Sequence, residues 1–261
     1  MQILRRGILA SVITLFWAPG LGRAAEEPVV AAASDLQFAL AEIRTHFAAQ
    51  KGRDVRLAFG SSGNIARQIR SGAPIELFLS ADESHVLALA RDGLTEGEGL
   101  LYALGRIVII VPHGSPLEAD GSLEDLKAAL ARGRVEKFAI ANPEHAPYGQ
   151  RAKEVLIRKD LWSALEGKLV LGENVSQAAQ FATSGAAQGG IIAHSLALSP
   201  DVGRRGTFAL IPADWHTPLR QRMVLVKGAG SVAREFFELV RGPGGRAILK
   251  RYGFTLPGEP G

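Results

Sequence analysis

Short apolar strands alternate with amphipathic helices along most of this chain. The apolar segment 29–32 is followed by four apolar residues at helical spacing, namely Leu36, Leu40, Ile43 and Phe47. The hydrophobic period therefore changes from about 2, which is typical of a strand, to about 3.6, which is typical of a helix. Repetition of this unit predicts an α/β fold with mainly parallel sheets and helices on both faces.

The same pattern predicts the positions of the other elements. Strands are predicted at 29–32, 55–59, 76–80, 106–111, 137–141, 168–171 and 222–227. Further helices are predicted at 65–69, 83–91, 122–131, 148–159, 176–184, 230–241 and 243–252. The apolar runs 106–111 and 222–227 are candidates for two crossings between lobes.

Two turns between a predicted strand and a helix each present a serine. Residues 31–35 read Ala-Ala-Ala-Ser-Asp, and residues 59–64 read Phe-Gly-Ser-Ser-Gly-Asn. The first amides of a helix have no partner within it, and the helix dipole places about half a positive charge there. One such turn is ordinary helix capping. Two of them, with further helix starts after Pro147 and Asn174, predict a shared pocket for a small anion.

The first 24 residues have the features of a cleaved secretory signal. Arg5 and Arg6 precede an apolar stretch over 7–17, and small residues follow near Ala24 and Ala25, where a signal peptidase can cut. The apolar stretch is too short to span a bilayer comfortably, which argues against a membrane anchor. We therefore predict a periplasmic protein cleaved near Ala24 or Ala25. The general and twin-arginine export routes both stay open.

Composition excludes several classes of function. The chain contains no cysteine, which excludes disulfides, thiolate metal sites and a lipid-anchored cysteine. Without residues 1–24 the chain carries 27 basic and 26 acidic side chains. This balance, with no basic run mixed with aromatic residues, argues against a nucleic-acid partner. The remaining length suffices for one large domain or for two lobes with their own cores.

Six sequence stretches occur together in a specific order. They are Ala31–Ser34, Phe59–Ile69, Gly72–Pro74, Leu77–Asp82, Pro143–Gly149 and Lys250–Phe254. In this order the chain resembles the periplasmic molybdate-binding proteins of ABC importers, which have the type II solute-binding fold. The resemblance implies two α/β lobes, each a mainly parallel sheet flanked by helices, joined by two hinge crossings. We expect the first lobe over 25–105 and 224–261, and the second over 106–223.

The resemblance also implies which residues bind the ligand. Ser34 and Ser62 would donate from the first lobe through their hydroxyl groups and main-chain amides. Tyr148 and Val175, each at a helix start, would donate main-chain amides from the second lobe. No cofactor and no separate metal site are implied, because molybdenum would be present only within the bound oxyanion.

One position departs from the family pattern. Some members place a tyrosine hydroxyl on the anion from the position of Ala193, where this chain has no hydroxyl. The hydroxyl of Tyr148 is a candidate replacement donor. The main-chain amide of Asp35 and the neighbouring Ser61 are further candidates. The Asp35 carboxylate would act as an acceptor if it turned inward, but we expect it to face solvent, where the helix dipole favours it.

Neutral donors suit a fully deprotonated dianion. Four helix starts at about half a charge each offset about two negative charges without a salt bridge. A pocket that only donates leaves the proton of hydrogen phosphate without an acceptor, which costs about 1–3 kcal/mol. Molybdate, tungstate and sulfate therefore fit this chemistry, and selection among them depends on the size of the cavity.

Three functions follow as hypotheses. The first is a monomeric receptor that delivers molybdate or tungstate to an inner-membrane ABC permease and its ATPase. The second is a receptor of the same fold for a sulfate-like anion or for ferric iron, although the tyrosines Tyr102, Tyr148 and Tyr252 lie far apart in the sequence. The third is a secreted hydrolase built on Ser62 and His145, which lacks the Gly-x-Ser-x-Gly nucleophile turn.

Overall fold

Two five-stranded sheets organise the computed structural model, which describes residues 27–259. The signal segment predicted over 1–24, with its cleavage near Ala24 or Ala25, lies outside the described residues. Across 27–259, no helix combines the length and the apolar composition needed to cross a membrane.

The first sheet contains the strands of the first lobe. Its strands are β1 (Val29–Ala33), β2 (Arg56–Gly60), β3 (Ile75–Ser80), β4 (Leu100–Gly105) and β10 (Leu219–Leu225). They lie in the order β2-β1-β3-β10-β4. β1 pairs in parallel with β2 and β3, whereas β10 runs antiparallel to both β3 and β4. Four of the five strands therefore point the same way.

The second sheet repeats this arrangement in the second lobe. Its strands are β5 (Ile107–Pro112), β6 (Phe138–Ala141), β7 (Leu169–Gly172), β8 (Gly190–Ala193) and β9 (Gly206–Leu210). They lie in the order β7-β6-β8-β5-β9, and β5 is the single reversed strand. In both sheets the reversed strand is one that has just crossed from the other lobe. The predicted α/β fold of two lobes with mainly parallel sheets is confirmed.

Helices cover both sheets. Those of the first lobe are α1 (Gln37–Lys51), α2 (Ser62–Arg70), α3 (Glu83–Arg91), α10 (Ser231–Arg241) and α11 (Pro243–Arg251). Those of the second are α4 (Glu124–Ala131), α5 (Pro147–Arg158), α6 (Trp162–Leu165), α7 (Val175–Thr183), α8 (His194–Ala197) and α9 (Pro200–Gly203). Three short 3-10 turns occur at Ser34–Leu36, Glu166–Lys168 and Ala213–Trp215.

Two crossings join the lobes. The first passes from β4 to β5 through the single residue Arg106, and the second is the segment 211–218 between β9 and β10. The predicted boundary between 105 and 106 lies at the first crossing. The predicted boundary between 223 and 224 falls inside β10, whose strand pairs all lie in the first sheet. The second crossing therefore precedes β10, and the predicted second lobe extends too far along the chain.

The first lobe has an apolar layer on each face of its sheet. Alternate residues of β1 point to opposite faces, so Val30 and Ala32 belong to one layer and Val29 and Ala31 to the other. The first layer includes the buried rings of Phe47 and Phe236, which pack edge to face with centroids 5.3 Å apart. Burial of these rings fixes α1 against α10, and thereby fixes the turn that precedes α1.

Candidate anion-binding site

A small cavity lies between the two lobes. Its lining comes from both lobes: Ala33, Ser34, Asp35, Gly60, Ser61, Ser62, Ala81, Ala146, Pro147, Tyr148 and Val175. All six residues that the sequence analysis placed at the site, including the candidates Asp35 and Ser61, line this one cavity. Ala193, the position of the absent tyrosine, is fully buried at the end of β8 and is not part of the described lining.

Four helical segments begin at the cavity, each directly after a strand. The 3-10 turn Ser34–Leu36 follows β1, α2 follows β2, α5 follows β6 and α7 follows β7. β1 and β2 are parallel neighbours, as are β6 and β7. The carboxyl ends of parallel strands meet at one edge of a sheet, which is where open α/β sheets bind ligands. The topology therefore gathers four helix starts between the lobes.

Three of these helix starts lack a side-chain cap. Neither Ala33, Ser61 nor Ala146 caps the segment that follows it, whereas Asn174 caps α7 by accepting a hydrogen bond from the Gln177 amide at 3.1 Å. Ordinary serine capping, the alternative for the turn at Ser61, is therefore not what the structure shows. The Gly63 amide in the first turn of α2 donates to the His145 carbonyl, and the other unpaired main-chain amides at these helix starts are left for another acceptor.

The hydroxyl groups of Ser34 and Ser62 are held in place as acceptors. Ser62 Oγ accepts from the Ala81 amide at 3.0 Å, and Ser34 Oγ accepts from the Ser176 amide at 3.1 Å. Both serines are buried. Among the described residues neither hydroxyl donates its own hydrogen, so both hydrogens are available to an anion in the cavity.

The Asp35 side chain is buried, and the prediction that it faces solvent is wrong. The residue is 1% exposed because the second lobe covers the turn, where Ser195 Oγ donates to the Asp35 carbonyl at 2.8 Å. Asp35 Oδ2 accepts from the Tyr148 hydroxyl at 2.9 Å and from Gln221 Nε2 at 2.7 Å. Oδ1 has no hydrogen-bond partner among the described residues. Burial raises the pKa of this carboxyl to about 6.

The Tyr148 hydroxyl belongs to the same buried network. Its single hydrogen is donated to Asp35, so it is not free to replace the hydroxyl that is absent at Ala193. Gln221 on β10 also donates to this hydroxyl at 3.1 Å and accepts from the Tyr102 hydroxyl at 2.7 Å. Gly105 on β4 leaves the space for this approach, because a Cβ there would overlap both the Tyr148 hydroxyl and Gln221 Nε2.

The network bears on the iron hypothesis, because it brings Tyr102 and Tyr148 together despite their separation in sequence. Ferric iron would need their phenolate forms, whereas burial raises the pKa of both hydroxyls well above the usual range. Residues 27–259 also contain no cluster of three or more His, Cys, Asp or Glu side chains suited to a metal ion. The arrangement does not favour iron.

A second set of contacts joins the lobes at the outer side of the cavity, around His145. Its carbonyl accepts from the Gly63 amide at 3.0 Å, and its Nδ1 lies 2.9 Å from Ser61 Oγ. Its Nε2 lies 3.5 Å from a carboxylate oxygen of Glu173, which also bonds Asn64. Gly63 permits this contact, since a Cβ there would lie 2.7 Å from the His145 carbonyl oxygen. We call these five residues the His145 contact.

Other polar pairs also join the lobes. Arg151 on α5 donates to Asp82 beside α3 at 2.7 Å, and both side chains are largely buried. Ser176 Oγ bonds the Ser34 carbonyl at 2.9 Å. The structure therefore shows the closed arrangement of the two lobes.

The contacts of His145 also bear on the hydrolase hypothesis. The structure pairs His145 with Ser61 rather than with Ser62, whose hydroxyl bonds Ala81 instead. Sequence reasoning did not find Glu173, Ser176 or Gln221. Glu173 and Ser176 flank the Asn174-Val175 helix start, so that motif could have indicated them. No local sequence signal marks Gln221.

Comparisons with known proteins agree with this architecture. The family described as bacterial extracellular solute-binding protein matches residues 28–255. The chain is 34% identical over 257 residues to the molybdate-binding protein ModA of Rhodobacter capsulatus, covering 97% of each chain. It is 31% identical over 230 residues to the molybdate-binding protein ModA of Escherichia coli K12, covering 87% of this chain and 88% of that one.

A solved structure is also similar over most of the chain. It is the periplasmic molybdate-binding protein of Azotobacter vinelandii, which superposes with a TM-score of 0.78 at 30% identity. The match covers 88% of this chain and 100% of that one.

Proposed function

This chain belongs to the bacterial extracellular solute-binding proteins, and within that family we propose that it captures molybdate in the cavity between its lobes. It is an extracytoplasmic binding protein rather than an enzyme. The ligand assignment draws on similarity to molybdate-binding relatives together with the chemistry of the cavity.

One observation carries the proposal: helix starts without side-chain caps and two serine hydroxyls converge on one cavity. Ser34 and Ser62 supply hydroxyl hydrogens, and Tyr148 and Val175 supply amides at the starts of α5 and α7. The amide of Asp35 is a further donor. Ser61 lines the cavity but contributes its hydroxyl to the His145 contact.

The charge of the cavity suits a dianion. Four helical starts provide a positive potential from main-chain dipoles, each worth about half a charge for a full helix. No Lys or Arg side chain is part of the described lining, so recognition uses neutral donors. Molybdate and tungstate carry the matching charge without an acidic hydrogen, and both are proposed ligands. Sulfate is the alternative ligand of the same chemistry, and it is the smaller oxyanion.

Transport follows from capture. We assign the receptor to the periplasm, where the closed, ligand-loaded monomer presents itself to an inner-membrane ABC permease driven by its ATPase. The two crossings at Arg106 and at 211–218 are the hinge about which the lobes open for ligand exchange.

Isothermal titration of the purified, ligand-free protein tests the proposal. Molybdate, tungstate, sulfate, phosphate and ferric citrate are titrated separately. We expect one-to-one binding of molybdate and tungstate, far weaker binding of sulfate and none of phosphate. A preference for sulfate would identify sulfate as the ligand instead of molybdate. A visible ferric–tyrosinate absorption band with iron would identify ferric iron as the ligand.

A further inference from the structure

Asp35 is the single side chain in the described lining that carries a charge at neutral pH. Its carboxyl is buried, and its Oδ1 lacks a partner in the described part of the chain. A buried carboxylate normally has a cation or a full set of donors. Its two side-chain donors are neutral and both bond Oδ2, the nearby main-chain amides of Asp35 and Leu36 also favour the ionised form, and the residue lines a cavity suited to an anion.

The titratable groups of α5 and β4 do not neutralise a negative charge on the Asp35 carboxylate. Tyr148 on α5 and Tyr102 on β4 stay neutral phenols, because burial raises the pKa of each hydroxyl. The charge of Arg151 on α5 is directed to Asp82 and Glu154.

Among the described residues, the remaining neighbouring elements place no cation in hydrogen-bond or ion-pair contact with the Asp35 carboxyl. On β10, Gln221 is neutral, and Arg220 and Arg222 both pair with Glu83. On α8, Ser195 Oγ donates to the Asp35 carbonyl. Burial lowers the pKa of His194 on the same helix, which favours the neutral imidazole. α7 faces the turn with the hydroxyl and amide of Ser176. The first crossing brings Arg106, whose guanidinium donates to the Ile211 carbonyl.

An ionised Asp35 and a bound dianion compete for the same positive potential. Both would lie at the helix starts, in a space from which closure excludes water, and like charges repel strongly there. Protonation removes this repulsion. It also gives the unpartnered Oδ1 a hydrogen, which turns an acceptor into a donor.

We propose that Asp35 is a specificity-determining residue of the oxyanion site and takes up one proton at Oδ1 as a dianion is bound. The proton comes from solvent while the lobes are open, and it returns to solvent on release. This inference rests on the proposed function. The acid form keeps the cavity a set of donors, which suits a fully deprotonated dianion.

The direction of the pH dependence follows from linkage. Burial in the closed arrangement raises the pKa of Asp35 to about 6, and opening of the lobes in the ligand-free protein removes part of that burial, so Asp35 is mostly ionised there at pH 7 and above. The dianion raises that pKa further, so binding takes up a proton between the two values. Affinity should fall about tenfold per pH unit over that interval, and should level off at pH values below the pKa of Asp35 in the ligand-free protein.

Proton uptake is measured by titrating the wild-type protein with molybdate at pH 7.5 in buffers of different ionisation enthalpy. We expect close to one proton taken up per ligand. Asp35→Asn keeps an acceptor for Tyr148 and Gln221 but cannot titrate, so its binding should take up no proton and should not change between pH 6.5 and 8.5. Tyr148→Phe removes one donor to Oδ2, which raises the pKa of Asp35 and should shift the affinity profile to higher pH.

The possible results separate failure of the Asp35 inference from failure of the proposed function. Wild-type binding without proton uptake, with an affinity that is flat across this pH range, would overturn the inference and leave the proposed function intact. Proton uptake that persists in Asp35→Asn would also overturn it, provided thermal melting shows that the variant is folded. Failure of every oxyanion to bind the wild-type protein would instead overturn the proposed function.

Discussion

At the scale of single residues, the hydroxyls of Ser34 and Ser62 are the groups whose removal should weaken ligand binding most. Each is fixed by an amide donor and has a hydrogen left for the ligand. We predict that Ser34→Ala and Ser62→Ala each weaken molybdate binding by about 1–3 kcal/mol, because part of a desolvated anion is left unsatisfied. Isothermal titration measures the loss. Ser163→Ala, at an exposed serine on α6, is the matched control.

Equal affinities for the three serine variants and the wild-type protein would contradict the role of these hydroxyls. Far-ultraviolet circular dichroism separates lost binding from lost folding. Ser62→Ala needs this check most, because it also deprives the buried Ala81 amide of its acceptor.

The sequence predicted which residues line the cavity better than it predicted which way they point. Ser34, Ser62 and Val175 belong to strand–turn–helix motifs that are visible locally. The inward orientation of Asp35 depends on Gln221, which lies 186 positions away, and on cover from the second lobe. Contacts of that range have no signal in a local pattern of hydrophobic residues.

At the scale of elements, the strands missed by the periodicity are those without a clean pattern of their own. β4 runs directly into β5 with one residue between them, so the pair reads as one apolar stretch. β8 has only four residues. β10 begins three residues before its predicted start at Arg222, and the polar residues Arg220 and Gln221 hide this first part from a search for apolar runs. The crossings were therefore harder to place than the strand–helix units.

The His145 contact joins α2 of one lobe to the loop before α5 of the other. His145→Ala removes the hydrogen bond to Ser61 and the contact with the Glu173 carboxylate, while the main-chain bond from Gly63 stays possible. At about 1 kcal/mol per lost contact, we predict molybdate dissociation about 5- to 30-fold faster. Stopped-flow chase experiments measure this rate.

His113→Ala is the control for the His145 variant, because His113 is an exposed histidine of the same lobe. Its dissociation rate should equal that of the wild-type protein. An unchanged rate in His145→Ala would show that the His145 contact does not hold the lobes closed.

At the scale of the whole molecule, each lobe has its own sheet and apolar core, and two narrow crossings join them. Ala33, Ala81 and Leu219 of the first lobe pack against the core of the second. Such a joint permits hinge motion without loss of either core. We predict that saturating molybdate reduces the radius of gyration in small-angle X-ray scattering and raises the melting temperature by mass action. A protein that binds molybdate with neither change would have no ligand-linked closure.

The most direct measurement is diffraction from crystals grown with molybdate, with data collected at the molybdenum absorption edge. We predict one strong anomalous peak in the cavity between Ser34, Ser62, Tyr148 and Val175. Hydroxyl and main-chain donors should surround the oxyanion, with no lysine or arginine in contact. A peak outside this cavity, or an anion held by a basic side chain, would contradict binding of the oxyanion by neutral donors between the lobes.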